Sequence, residues 1–160
     1  MANNKLTHLD TDGKAQMVDI SAKEPTHRVA IAGAQIVLLP STLDLLLEGN
    51  LKKGDALGVA QIAGILAAKK TSELIPLCHP IQVNQIDVKL TPDKTLPGIE
   101  IRATIRTFDR TGAEMEALTA VSIAALTVYD MVKAVQKDAR IQNIRLIEKH
   151  GGKSGDIVNE

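Results

Sequence analysis

Two stretches of the chain alternate strictly between apolar and polar side chains. The apolar positions of the first are Ile86, Val88 and Leu90, and the second alternates in the same way from Ile99 to Arg106. Because successive side chains of a strand point to opposite faces of a sheet, each stretch predicts a strand with one buried and one wet face. Pro92, Pro97 and Gly98 mark the connection between them. A sheet with one wet face is antiparallel, with its helices on the other face.

Other segments add helices and strands around this pair. Asp55 is a predicted N-cap for a helix to about Glu73, whose small residues between Val59, Ile62 and Leu66 let another backbone come close. The remaining predicted elements are a strand at 28–39 ended by Pro40, a short helix capped at 41–44, a helix from a capping box at 111–114 to about Gln136, and a strand at 141–147. The apolar stripe of the last helix is Leu118, Val121, Ala125, Val128, Val132 and Val135.

The order of these elements is the β-α-β-β-α-β split pattern with one extra helix. It predicts a ferredoxin-like α+β fold, an antiparallel sheet with helices on one face. A chain of 160 residues is the size of one domain. We divide it into an N-terminal arm (1–27), a single ferredoxin-like catalytic domain (28–150) and a flexible glycine-rich tail (151–160).

Composition excludes several classes of function. Lys and Arg total 19, as do Asp and Glu, so the chain lacks the positive surplus of a general nucleic-acid or membrane-surface binder. An RNA-recognition module of ferredoxin-like order needs aromatic rings on its sheet, and the third strand has none. The single cysteine predicts a reduced, cytoplasmic location without an internal disulfide. The first residues show no apolar signal core, and the longest uncharged stretch, Ala117–Tyr129, is too short to cross a bilayer.

Short motifs leave their function open. Gly152-Lys153-Ser154 resembles the end of a P-loop, but Ile147 stands where the first glycine is required. The tail is therefore either a frayed end or a segment that folds over an anion. Cys78 and the histidines lack the spacings of a metal site, so no metal is expected. Asp130 and Lys133 lie three positions apart on one face of a predicted helix. They either form part of a pocket wall or make a solvated ion pair.

Longer segments carry a resemblance to a known family. They closely resemble the MoaC family of molybdenum cofactor biosynthesis, and the resemblance extends from Leu6 to Asp156. The segments that carry it are Lys53-Gly54-Asp55, Ala63-Gly64-Ile65, Ala67-Ala68-Lys69, Leu74-Ile75-Pro76-Leu77-Cys78-His79-Pro80, Thr111-Gly112-Ala113-Glu114-Met115-Glu116-Ala117-Leu118-Thr119-Ala120, Ala124-Ala125-Leu126-Thr127-Val128-Tyr129-Asp130-Met131 and Gly151-Gly152-Lys153-Ser154-Gly155.

The resemblance implies a lyase that needs no cofactor. Its substrate would be (8S)-3′,8-cyclo-7,8-dihydroguanosine 5′-triphosphate, and its products cyclic pyranopterin monophosphate and pyrophosphate. The assembly implied is a homohexamer of three dimers, with sites at subunit contacts and no nucleic-acid or membrane partner. The alternative is a non-catalytic ferredoxin-like module that binds a small ligand.

Residue roles follow from the same resemblance, position by position. Asp130, Lys53 and Lys133 match the catalytic residues. The matching substrate-binding positions are Leu77, Cys78, His79, Met115 and Glu116, together with Arg28, Lys149 and Lys153 near the phosphates and Lys23 as a further candidate. Clustered basic side chains suit a triphosphate, and lysines can move protons if their surroundings lower their pKa.

Overall fold

The computed structural model describes residue 9, residues 12–153 and residues 155–160. The beginning of the predicted N-terminal arm, including Leu6, and Ser154 of the glycine-rich tail lie outside them. The elements are β1 Thr26–Val37, α1 Pro40–Leu47, α2 Ala56–Lys69, α3 Thr71–Leu74, β2 Val83–Asp93, β3 Gly98–Asp109, α4 Glu114–Val132, β4 Arg140–His150 and β5 Ile157–Val158.

The strands form one antiparallel sheet in the order β2-β3-β1-β4-β5. The predicted α+β class is confirmed. Ala32 of β1 lies opposite Ala103 of β3, which in turn pairs with Val88 of β2. These three side chains are fully buried, and so are the alternate residues at 30, 34 and 36 of β1 and at 99, 101, 105 and 107 of β3. The alternation in the sequence therefore marks the buried face of the sheet.

Helices α2 and α4 cover the buried face of the sheet. α4 packs on β1, β3 and β4, while α2 lies between α4 and β2. Gly64 allows this approach, since a Cβ at that position would lie 3.0 Å from the carbonyl oxygen of Ala120. By length and composition α4 is apolar enough to cross a membrane. Half of its apolar stretch is buried in the fold, however, as in the core helix of a soluble protein.

Helix ends differ from the sequence prediction in several places. The Asp55 cap is confirmed, because its Oδ1 accepts a hydrogen bond from the backbone N–H of Gly58 at 2.9 Å. Two other predicted caps are wrong: the N-cap residues of α1 and α4 are Leu39 and Ala113, and neither makes a side-chain cap hydrogen bond. Pro40 begins α1 instead of ending β1, which stops at Val37.

Three further differences concern element lengths. The helix predicted to run to about Glu73 is divided into α2 and the short α3. α4 ends at Val132, so Val135 lies beyond its core stripe and is exposed. The tail contributes β5, which pairs with Glu148 and Lys149 of β4. Its two residues follow the glycine-rich segment, where the sequence offered no alternating pattern.

Candidate active site

Asp130 lies between two lysine ammonium groups near the C-terminal end of α4. Its Oδ1 is 2.7 Å from Nζ of Lys133, one helical turn along, and its Oδ2 is 2.7 Å from Nζ of Lys53. Nζ of Lys53 also donates to the backbone carbonyl oxygen of Asp130 at 2.8 Å. Lys53 reaches this position from the turn before α2, where Gly54 has a positive φ of 84°. The three residues assigned to catalysis by resemblance are therefore in direct contact.

Charge pairing sets the protonation states of this group. Hydrogen bonds from Lys133 and then from Lys53 lower the pKa of Asp130 to about 2, so its carboxylate is ionised at neutral pH. The same hydrogen bond with Asp130 raises the pKa of Lys133, which keeps that amine protonated. All three side chains remain about half exposed, so the pairing contributes little to stability. The arrangement can instead supply protons from its amines to a bound substrate.

A second group of predicted residues lines a cavity at the other end of α4. The cavity has a volume of about 490 Å³, and its walls are Ile75, Leu77, Cys78, His79, Thr111, Gly112, Glu114 and Met115. The segment between α3 and β2 supplies one wall and the start of α4 the other. The structure thus brings Leu77, Cys78, His79 and Met115 together around one cavity.

Glu116 does not line this cavity, although it contacts Cys78 in its wall, and it lines a separate cavity of about 140 Å³ instead. Glu116 is only 2% exposed, and its Oε2 has no hydrogen-bond partner among the described residues. Burial, and secondarily the carboxylates of Glu114 and Asp109, raise the pKa of Glu116 to about 7. Oε1 accepts a long hydrogen bond from Sγ of Cys78 at 4.0 Å. A carboxyl group with this pKa can hold or release a proton at neutral pH.

Cys78 is less suited to nucleophilic chemistry. Burial raises the pKa of its thiol, and the negative charges of Glu116 and Glu114 raise it further. Since the thiolate is the reactive form of cysteine, this thiol stays protonated and unreactive at neutral pH. Its place in the cavity wall indicates a packing or hydrogen-bonding contact.

Basic side chains gather beside the end of β4. Arg28, Lys153 and Lys23 line a cavity of about 390 Å³ together with Ala22, Glu24, Thr26 and Gly152. Nε and one terminal nitrogen of Arg28 donate to the carbonyl oxygens of Asp109 and Arg110, each at 3.0 Å, which fixes its guanidinium group. Three cations around one cavity suit a phosphate chain.

Lys149 is placed differently from the other basic residues. Its Nζ lies 2.5 Å from Oε1 of Glu114, and both side chains are largely buried. The pair joins β4 to the first residue of α4 and borders the 490 Å³ cavity through Glu114. Glu114 is a candidate site residue that sequence reasoning missed, because its place in the Thr111–Glu114 capping box suggested a helix cap. No local sequence pattern around Glu114 indicates that its partner is Lys149, on the distant strand β4.

The two halves of the site lie far apart within one chain. Met115 and Lys133 are eighteen positions apart on α4, which is five full turns, so they share one face at a separation of roughly 27 Å along the axis. Proton transfer needs groups within hydrogen-bond reach of the substrate. A single chain therefore does not place the Lys53–Asp130–Lys133 group and the cavity around one reacting ring.

The outer face of the helices between these two halves is apolar. Val59, Ile62 and Leu66 of α2 and Leu126 of α4 are each about half exposed. The small residues of α2 are buried against α4, so its large apolar side chains point outward. Exposed apolar side chains on one face of a helix, such as Val59, Ile62 and Leu66, are typical of a protein–protein interface.

The described part of the chain contains no group of three or more His, Cys, Asp or Glu side chains placed to hold a metal ion. The carboxylates at the two ends of α4 are instead engaged with lysines or buried, as for Asp130, Glu114 and Glu116.

Comparison with known proteins adds independent information. The model of the MoaC family matches residues 17–152. A protein of Nostoc sp. named cyclic pyranopterin monophosphate synthase is 58% identical over 151 residues, which cover 94% of this chain and 90% of that protein. Proteins of the same name from Trichodesmium erythraeum and Brucella ovis are 56% and 54% identical, over 96% of this chain and 92% and 93% of their own lengths.

Proposed function

This chain belongs to the MoaC family, and from that premise we propose the reaction that it catalyses and the residues that carry it out. Its similarity to several synthases makes it an enzyme of the same kind, a lyase of molybdenum cofactor biosynthesis. The proposed substrate is (8S)-3′,8-cyclo-7,8-dihydroguanosine 5′-triphosphate, which is converted to cyclic pyranopterin monophosphate with release of pyrophosphate. The observation that carries the proposal is the Asp130 carboxylate held at 2.7 Å from the amines of both Lys53 and Lys133.

These three residues would move the protons of the ring rearrangement. Opening the five-membered ring of the purine and building a pyrazine ring requires several proton transfers. Lys133, which stays protonated, would donate protons, and Lys53 would exchange them with the substrate, while ionised Asp130 holds both amines in place. Glu116, buried at the start of α4, would contribute a further proton-exchanging group next to the substrate contacts of Leu77, Cys78, His79 and Met115.

The phosphate would cyclise because the site holds a substrate hydroxyl close to the α-phosphorus. A substrate hydroxyl attacks the α-phosphorus, a new P–O bond forms there, and the bond to the bridging oxygen breaks, so that pyrophosphate leaves with that oxygen. The hydroxyl proton passes to a basic group of the site. Arg28, Lys149 and Lys153, with Lys23, would bind the phosphates equally in the substrate and in the transition state, so that their charges strengthen binding.

The active enzyme would be a homo-oligomer with sites shared between copies. Pairing two chains across a two-fold axis, with their α4 helices antiparallel, would bring the C-terminal end of one α4 to the N-terminal end of the other. The exposed apolar face of α2 and α4 supports this pairing, since it lies between the two half-sites. A trimer of such dimers would give the hexamer that the resemblance implies.

We also propose a ferredoxin-like arrangement of the sheet and a cytoplasmic location. The strand order β2-β3-β1-β4 and the connection of β1 to β2 and of β3 to β4 through helices support a ferredoxin-like arrangement. The nucleotide substrate and the single free cysteine support a cytoplasmic location.

The test is incubation of the protein with the cyclised nucleotide, followed by assay of pyrophosphate and of the pterin product. We predict that Lys53→Ala and Asp130→Asn each lower turnover by about 100-fold or more, because both remove part of the proton-transfer group. Circular dichroism is expected to show an unchanged fold, since these side chains are half exposed.

Lys94→Ala is the matched control. Lys94 is an exposed lysine in the turn between β2 and β3, and its loss is expected to leave turnover unchanged. Turnover by both site variants at the wild-type rate would contradict the mechanism. Nucleotide binding without any pyrophosphate above a no-enzyme control would favour the non-catalytic binding module instead.

A further inference from the structure

The turn after β4 is fixed against β1 by two glycines. Gly151 and Gly152 have φ values of 84° and 80°, which only glycine adopts without strain. A Cβ at Gly151 would strike the carbonyl oxygen of His27, and one at Gly152 would strike the guanidinium group of Arg28. The backbone of the turn therefore rests directly on Arg28, with Lys153 next along the chain.

A hydrogen-bonded group of side chains closes this turn from behind. Oδ1 of Asp156 accepts from the backbone N–H of Gly151 at 3.1 Å, and its Oδ2 lies 3.2 Å from Nδ1 of His150. Nε2 of His150 lies 3.0 Å from Oε2 of Glu148, on the same strand. Both ring nitrogens thus face carboxylates, and hydrogen bonds with Glu148 and then Asp156 raise the pKa of His150.

We propose that His150 and Asp156 are positioning residues that hold Lys153 beside Arg28 for the triphosphate of the substrate. Neither residue touches the cavity lined by Lys23, Arg28 and Lys153, so they act through the backbone of the turn. A lysine held in place before binding loses less conformational freedom when the phosphates arrive, and this strengthens binding. The inference rests on the proposed function, which makes this cavity the phosphate site.

The contact points to substrate binding rather than to chemistry. The contacts of Asp156 reach only the turn that carries Lys153, a residue assigned to the phosphates and not to proton transfer. Loss of the Asp156 contacts should therefore weaken binding of the nucleotide and of pyrophosphate. It should leave the rate of the bound complex unchanged.

A double-mutant cycle between Asp156 and Lys153 tests this inference. Lys153→Ala and Asp156→Ala are each expected to raise KM for the cyclised nucleotide about 10-fold with kcat unchanged, which corresponds to about 1.4 kcal/mol. The double variant is expected to show the KM of Lys153→Ala alone, because Asp156 acts through Lys153. Inhibition by pyrophosphate, as product, should weaken in parallel in all three variants.

Asp156→Asn is the conservative variant. Its side-chain oxygen still accepts from the N–H of Gly151, and its amide can donate to Nδ1 of a neutral His150, so KM is expected to return to near the wild-type value. The positioning role would be overturned if the KM increases of the two single variants multiplied in the double variant. A fall in kcat with KM unchanged would overturn it as well. If the wild-type protein releases no pyrophosphate, the proposed function is wrong. The affinities of the wild type, the two single variants and the double variant for pyrophosphate would still test the positioning role.

Discussion

Glu116 has a buried carboxyl group whose ionisation opposes folding. Its pKa is about 7 in the folded protein, against 4.5 for the unperturbed group. The folded state therefore binds this proton more tightly than the unfolded chain does, and stability falls as pH rises from 4.5 to 7. Above pH 7 the full penalty is present, and a shift of this size corresponds to about 3 kcal/mol.

We predict that Glu116→Gln removes this pH dependence. Wild-type protein should lose about 2–3 kcal/mol of unfolding free energy between pH 5 and pH 8 through this group. Urea titrations at the two pH values should show that the unfolding free energy of the variant falls by about 2–3 kcal/mol less than that of the wild type. Glu73→Gln, at an exposed carboxylate, should retain the wild-type difference, and an equal loss in all three proteins would contradict the raised pKa.

Single residues of the site differ in how far the sequence could predict them. The contact of Asp130 with Lys133 follows from their spacing of three on a helix. The contact of Asp130 with Lys53 does not, because 77 positions separate them and only the resemblance joined them. The burial of Glu116 was likewise hidden, since a second carboxylate in the first turn of a helix is ordinarily a solvated partner of the helix dipole.

Helix α2 begins at a cap that depends on one side chain. Asp55→Ala removes the hydrogen bond from Oδ1 to the N–H of Gly58 and is expected to destabilise the protein by about 1 kcal/mol. The measurement is the urea midpoint at pH 7. Asp44→Ala serves as the control, because Asp44 belongs to the predicted capping pattern of α1 but the N-cap is Leu39 without a side-chain hydrogen bond. Equal losses in the two variants would show that the cap has no specific role.

Elements with a strong internal pattern were predictable, and those shaped by distant contacts were not. The alternation of β2 and β3 and the apolar stripe of α4 gave strands and a helix at the expected places. The capping box at 111–114 failed because the carboxylate of Glu114 pairs with Lys149 of β4. That ion pair joins two elements, and nothing near Glu114 in the sequence indicates it.

Assembly is the property that a single chain reveals least directly. The small residues of α2 predicted a close approach to another backbone, and that backbone is α4 of the same chain. The apolar side chains that remain on the outside are Val59, Ile62 and Leu66, and two groups of candidate site residues lie at opposite ends of α4. Both features have one explanation if a second copy covers the helices in antiparallel orientation.

Mixing two inactive variants tests whether the site is shared. Lys53→Ala damages one half-site and His79→Ala the other, so each homogeneous protein is expected to be inactive or nearly so. In a two-fold dimer of the two variants, one site would receive both defects and the other neither. Random exchange of subunits should therefore restore about one quarter of wild-type pyrophosphate release.

Recovery in this experiment depends on contact between the two chains. Placing Ile62→Glu in both variants would put a charge on the exposed apolar face and is expected to abolish the recovery and to lower the mass of the oligomer measured by light scattering. Sites built within one chain would behave differently, because every mixed dimer would then contain two damaged sites and mixing would restore nothing. The amount of recovered activity thus distinguishes a shared site from two distant groups that never meet.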